Sequence, residues 1–135
     1  MIASMQIRQA VRHEIAAHAL ADLPNECCGL LIGSEDLIER AVPARNVRAS
    51  PTRFLVDPED HFAALRQARA AGLVVCGAYH SHPRGPSAPS ATDRAEMHDP
   101  TLLHLIVDLS SGGPEIRAFG FRDGAFHPVT LVPVP

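Results

Sequence analysis

From Leu73 to Tyr79 the chain reads LVVCGAY, runs into His80-Ser81-His82-Pro83, and continues as a Pro-, Gly- and Ser-rich stretch from Arg84 to Pro89. Seven uncharged residues that open after Gly72 and close before a breaker-rich segment have the length of a buried strand. It is the most apolar strand candidate in the sequence, which predicts a central place in a sheet. Whatever fold forms must therefore end a central strand at two histidines and then leave it through a loop.

The flanking segments supply the other elements. Ile7, Val11 and Ile15 recur at helical spacing with alanines between them, which predicts a helix from Ile7 to Leu20 that Pro24 and Asn25 end. Cys27–Ile32, Leu37–Val42 and Arg53–Val56 read as strands, with Ser34-Glu35-Asp36 as a tight turn. Asp57-Pro58-Glu59-Asp60 carries an N-cap Asp, a Pro at the first helical position and acids in the first turn. A helix is predicted to run from there through Phe62, Leu65 and Arg69 and to stop at Gly72. A short helix opens at Ser90-Ala91-Thr92-Asp93 and ends near Asp99-Pro100. Leu102–Leu109, Glu115–Phe121 and Ala125–Val132 complete the strands, with hairpin turns at Gly112-Gly113 and Asp123-Gly124. This order predicts a mixed α/β (α+β) fold, one twisted mixed sheet flanked by helices, with residues 1–135 as a single domain.

Composition narrows the function classes. The 135 residues are 46% hydrophobic and 20% charged, a globular balance with material for one core. A formal net charge of −3 is too mild for a nucleic-acid surface or an anionic membrane as the main partner. With no Trp and 4% aromatics, there is little to stack on bases. No apolar run approaches the ~20 residues of a membrane span. The first residues hold no apolar segment of signal-peptide length, so the expected setting is the cytoplasm. Cys27, Cys28 and Cys76 form no CxxC pair and read as core residues rather than a disulfide framework or a cysteine zinc site.

Chemistry concentrates after the apolar strand. His80 and His82 stand at i and i+2 and share a face of the strand. Asp93 follows eleven residues after His82, beyond a loop long enough to fold back on the two rings. Two imidazoles and a carboxylate suit Zn²⁺ with a fourth position open, the catalytic type of zinc site. Taken alone, a His-x-His pair is more often incidental, and Ser90 with Asp93 also reads as a helix cap. The two roles are compatible, since a cap would hold Asp93 in place.

The combined pattern HSHP-x6-S-x2-D resembles the JAMM motif of the MPN+ zinc metalloprotease family, in its short bacterial form. Glu26, just before the apolar run Cys27–Ile32, looks like the upstream acid of that family. The resemblance covers roughly Ile7 to Val129 and implies a cytidine-deaminase-like MPN fold. It implies His80, His82 and Asp93 as zinc ligands. It implies Glu26 as the base that takes the proton of the attacking water and returns it to the leaving amine, and Ser90 as a hydrogen-bond donor to the developing oxyanion. The implied reaction is amide hydrolysis after the C-terminal Gly-Gly of a ubiquitin-like protein. The short chain is most similar to bacterial members that act on ubiquitin-like sulfur-carrier proteins. A flexible Gly-Gly tail could enter as an added strand, with Arg84 and the loop to Pro89 at the rim. The alternatives are a zinc amidase acting on small or cell-wall peptides, and a non-catalytic MPN interaction module.

Other candidates are weaker. His13 and His18 imitate a zincin helix but are five apart; at ~100° per residue that is ~140° around a helix, against ~40° for a working pair. They read as flank or surface residues. The Pro-Cys-x-x-Cys of zinc deaminases is absent. His61, His98, His104 and His127 lack ligand spacing, although His98 is close enough to Asp93 to reach the rim. Phe54 and Phe62 are expected in the core.

Overall fold

The computed structural model describes residues 3–97, 99–110 and 112–135. Its first element is a strand, β1 (Ser4–Arg8), with Met5 and Ile7 buried. Helix α1 (Gln9–Ala21) follows at once and buries Val11, Ile15 and Ala19, a stripe of four-residue steps. The helix thus begins two residues later than its periodicity suggested. Ile7 satisfies both periods, four before Val11 and two after Met5, and pairing with two other strands decides for the strand.

The remaining elements are β2 (Cys28–Gly33), β3 (Leu37–Ala44), α2 (Pro58–Ala70), β4 (Val74–His82), α3 (Ala91–Ala95), β5 (Leu103–Asp108), β6 (Glu115–Arg122) and β7 (Ala125–Val134). The mixed sheet is present, but it closes into a barrel in the order β1-β3-β2-β4-β5-β6-β7. Strand β1, unseen in the sequence pattern, makes the closure by pairing in parallel with both β3 and β7. Among the described residues each strand of the ring has two neighbours, although β3 meets β1 only at Leu37 and Ile38. Asp123 and Gly124, at the β6–β7 turn, both have positive φ, as a two-residue hairpin turn of this kind requires.

Strand β4 is internal, antiparallel to β2 and parallel to β5. Every residue of β2 is buried, as its unbroken apolar run demands. The main core joins Ile7, Val11 and Ile15 to Leu31, Tyr79 and Leu105. Helix α2 lies against β2, β3 and β4 through Ala64 and Ala68. In the β2–β4 register Gly29 faces Tyr79. A Cβ on Gly29 would stand 2.3 Å from the tyrosine ring, so only glycine fits beneath it.

Three other expectations need correction. Arg53–Val56 is not a strand; it contributes one isolated bridge, Asn46 to Val56. Its Leu55 amide is taken instead by the Asn46 side chain at 3.0 Å. Helix α3 ends at Ala95, earlier than expected, and Glu96 caps it. Phe62 is not in the core but 61% exposed, because α2 turns its alanines inward.

Candidate metal centre

The end of β4 carries His80 and His82 on one face, both buried. The chain then leaves through a pinned loop. The Gly85 amide bonds the His82 carbonyl at 2.9 Å, and the buried Ser87 hydroxyl donates to Glu115 Oε1 at 2.6 Å. The loop delivers Ser90 as the cap of α3. Ser90 Oγ accepts from the Asp93 amide, and Asp93 Oδ2 accepts from the Ser90 amide, each at 2.9 Å. This reciprocal box presents the Asp93 carboxylate to the histidines.

The three groups meet at short range. His80 Nε2 and His82 Nε2 are 3.2 Å apart. Asp93 lies 3.2 Å from His80 and 3.0 Å from His82 through separate carboxylate oxygens. One donor atom from each residue falls within 4.8 Å of the others, the spacing of a possible metal group.

Hydrogen-bond logic tests that fit. His82 Nδ1 lies 2.7 Å from the Pro86 carbonyl, which can only accept, so Nδ1 carries the hydrogen. The neutral ring then turns a lone pair at Nε2 towards a carboxylate oxygen and a second imidazole. Only a proton or a cation among these atoms relieves the repulsion. Burial lowers the pKa of His80 and overrides its bond to Asp93. Burial also works against protonated His82, but bonds to Asp93 and Pro86 outweigh it and raise the pKa. Burial opposes the Asp93 anion, yet the two histidines hold its pKa below the usual carboxylate range. The donor set thus fits a metal ion.

Glu26 joins from the segment just before β2. Cys28 pairs with His80, and the Ser81 amide bonds the Cys27 carbonyl at 3.2 Å. Continuing this antiparallel register places Glu26 opposite His82. Glu26 is 4% exposed, and its Oε1 is buried without a hydrogen-bond partner. Burial raises its pKa to about 8, with His82 pulling down and Asp93 and Glu96 pushing up.

Sequence reasoning missed the loop over this group. Asn46 Nδ2 donates to the Glu26 and Arg53 carbonyls at 3.1 and 3.0 Å, and its Oδ1 accepts from the Arg48 and Leu55 amides. One side chain therefore ties Glu26 to the segment around Phe54. Phe54, expected in the core, stacks on His80 at 4.3 Å between ring centroids. Arg48 and Arg53 both pair with Glu96 at 3.2 Å. Only the Arg48 contact is local, and the other three partners of Asn46 are backbone groups seven or more residues away.

The remaining candidates separate from the site. His13 is exposed, while His18 is tucked against Tyr79 rather than on the surface. Cys27 and Cys28 are buried and Cys76 half-buried, all free thiols. Arg84 is exposed and does not line the cavity beside His80. His98 and its expected place at the rim lie outside the described residues.

Residues 8–121 match the family described as prokaryotic homologs of the JAB domain. The chain belongs to that family. Tail tip assembly protein K of Escherichia phage N15 is 40% identical over 103 residues, which is 74% of this chain and 40% of the phage protein. The probable TtuB-protein conjugate cleaving protease of Thermus thermophilus is 38% identical over 93 residues, 68% of this chain and 62% of the protease. The CysO-cysteine peptidase of Mycobacterium tuberculosis is 34% identical over 133 residues, 93% of this chain and 90% of the peptidase. The JAB-domain chain thus spans less than two thirds of the first two relatives and most of the third. In three dimensions it resembles the solution structure of a Desulfitobacterium hafniense protein, 33% identical, with a TM-score of 0.89 over 96% of this chain and 92% of that one. None of the described helices is long and apolar enough to cross a membrane.

Proposed function

We propose that this JAB-domain chain is a zinc-dependent peptidase that hydrolyses the amide bond after the C-terminal Gly-Gly of a ubiquitin-like sulfur-carrier protein. In this reading residues 1–135 act as one catalytic domain in the cytoplasm, with no nucleic-acid or membrane partner. The observation that carries it is the meeting of His80, His82 and Asp93 with Glu26 opposite them. Separations of 3.0 to 3.2 Å among the donor atoms support zinc. They come close to the ~3.3 Å between ligands at ~2.0–2.1 Å from a tetrahedral zinc ion. The substrate class is supported by the Mycobacterium and Thermus relatives, named for CysO-cysteine and TtuB conjugates.

His80, His82 and Asp93 would hold the ion, which supplies Lewis acidity that makes water acidic and polarises a carbonyl. Glu26 takes a proton from the attacking water at its carboxylate and passes it to the leaving nitrogen. Without metal, burial holds the Glu26 pKa at about 8; a cation on the neighbouring ligands would lower it, towards the range in which a carboxylate accepts a proton from water and returns it near neutrality. The Ser90 hydroxyl accepts from the Asp93 amide, so its own hydrogen remains free to donate where oxyanion charge develops. Water's oxygen ends on the glycine carbonyl carbon, the C–N bond breaks, and the amine departs with the proton carried by Glu26.

The test incubates zinc-loaded protein with carrier fusions that bear residues after Gly-Gly, read by intact mass. The expected product ends at the second glycine. Fusions that remain intact beside protein shown to hold zinc would overturn the reading.

A further inference from the structure

His82 pairs with Asp108 in the β4–β5 register, and Asp108 pairs with Glu115 in the β5–β6 register. The three residues form one row across the strand ends, about 10 Å long at ~4.8 Å per strand step. The loop that leaves β4 after His82 is anchored along this row. Gly85 lies so close to Asp108 that a Cβ there would stand 2.6 Å from both Asp108 Oδ1 and Ser110 Oγ. The Ser110 amide and hydroxyl hold that carboxylate at 2.7 and 2.6 Å. Two residues on, Ser87 Oγ donates to Glu115 Oε1 at 2.6 Å, and Arg117 Nε steadies the same oxygen from 3.0 Å.

Pro86 lies between these two anchors. Its carbonyl takes the hydrogen of His82 Nδ1 at 2.7 Å, the bond that turns the Nε2 lone pair of His82 into the metal group. The anchors therefore decide where that carbonyl stands. Ser87 is buried, whereas the Glu115 side chain is 57% exposed. Water can satisfy the carboxylate, so what this bond fixes is the loop. A short hydroxyl-to-carboxylate bond is of the strong, charge-assisted kind.

We propose that Ser87 and Glu115 are positioning residues for the metal, whose bond holds the Pro86 carbonyl against His82 and so sets how tightly His80, His82 and Asp93 hold an ion. Neither residue belongs to the three-residue metal group. The inference rests on the metal group of the peptidase reading and adds two residues that the HSHP-x6-S-x2-D pattern leaves unspecified.

The test measures zinc affinity by competition with a chelating dye, beside the visible absorption bands of the cobalt-loaded protein and denaturant melts of the metal-free protein. Ser87→Ala is expected to bind zinc about 10-fold more weakly, the lower end of what a disturbed partner of a ligand costs, and to shift the cobalt bands. Glu115→Ala should reproduce both changes, while Glu115→Gln keeps an acceptor oxygen and should bind zinc close to the parent. The double variant Ser87→Ala/Glu115→Ala should bind no more weakly than either single one, since both remove the same bond. The melts identify which variants are folded under the assay conditions. Parental zinc affinity and cobalt bands in whichever alanine variant is folded, or single losses that add in the double variant, would overturn this inference and leave the peptidase reading standing. A parent protein that takes up no zinc would overturn the metal group, and this inference with it.

Discussion

Two polar clusters lie on opposite faces of β4, and they obey different rules. On the α1 side, Tyr79 OH meets His18 Nδ1 at 2.7 Å, His18 Nε2 meets Asp22 at 3.3 Å, and the Cys27 amide donates to Ser81 Oγ at 2.8 Å. Each of these contacts pairs a donor with an acceptor. On the other face, His80, His82 and Asp93 bring lone-pair atoms together, and Glu26 Oε1 has no partner. The matched cluster is complete as it stands and holds helix to strand. The mismatched one is costly in the bare fold and makes sense where an ion and a substrate complete it. The type of partner, not burial or histidine content, separates scaffold from site.

The largest break in this contrast comes from the ligand face. His82→Ala is expected to abolish both metal retention after dialysis and turnover; a variant with normal metal content would remove His82 from the ligand set. Next in size, Glu26→Gln should retain metal and lose turnover by about 10²–10⁴-fold, the worth of a general acid–base group, measured by carrier cleavage beside metal analysis.

Glu26 also makes the contrast visible in pH. Its folded pKa of about 8 lies above the unfolded value near 4.5. The folded state therefore binds the extra proton between these values. Stability from this group is fully present below about pH 4.5 and is lost as the pH rises through about 8. Metal-free Glu26→Gln should accordingly be more stable than the parent at about pH 9, by ~2–4 kcal/mol, with little difference near pH 4. Denaturant melts at the two pH values measure this, and equal differences at both would show that the carboxyl is not held protonated.

Ser90→Ala should lower kcat by about 10²–10³-fold if the hydroxyl serves the oxyanion. Loss of the cap alone would cost ~1 kcal/mol of stability, so a melt run alongside separates the roles. The smallest functional effect is expected on the matched face. Tyr79→Phe leaves His18 without its partner and should cost about 1–3 kcal/mol, with metal content and turnover unchanged. Loss of metal in that variant would join the two clusters and dissolve the distinction.

Much of this molecule was legible locally. The apolar run into His80, the i, i+2 histidines, the Ser90–Asp93 box and the Asp57-Pro58 helix start all lie within a few residues of one another, where strand and helix geometry follow from spacing. Glu26 is marked by the resemblance of its segment and not by local geometry. The misses involve distant partners. Ile7 fits a helical and a strand period equally, and Arg53–Val56 has strand-like residues whose hydrogen bonds go to Asn46.

The amino-acid order by itself determined which side chains could serve as ligands and which faces of strand and helix would carry them, because those depend on bond geometry and short-range periodicity. Only the tertiary structure decided that β1 closes the sheet, that Phe54 stacks on His80 and that Arg48 and Arg53 share Glu96. Each of these depends on contacts between segments far apart in sequence, where loop closure and shared burial choose among partners that local pattern leaves equivalent.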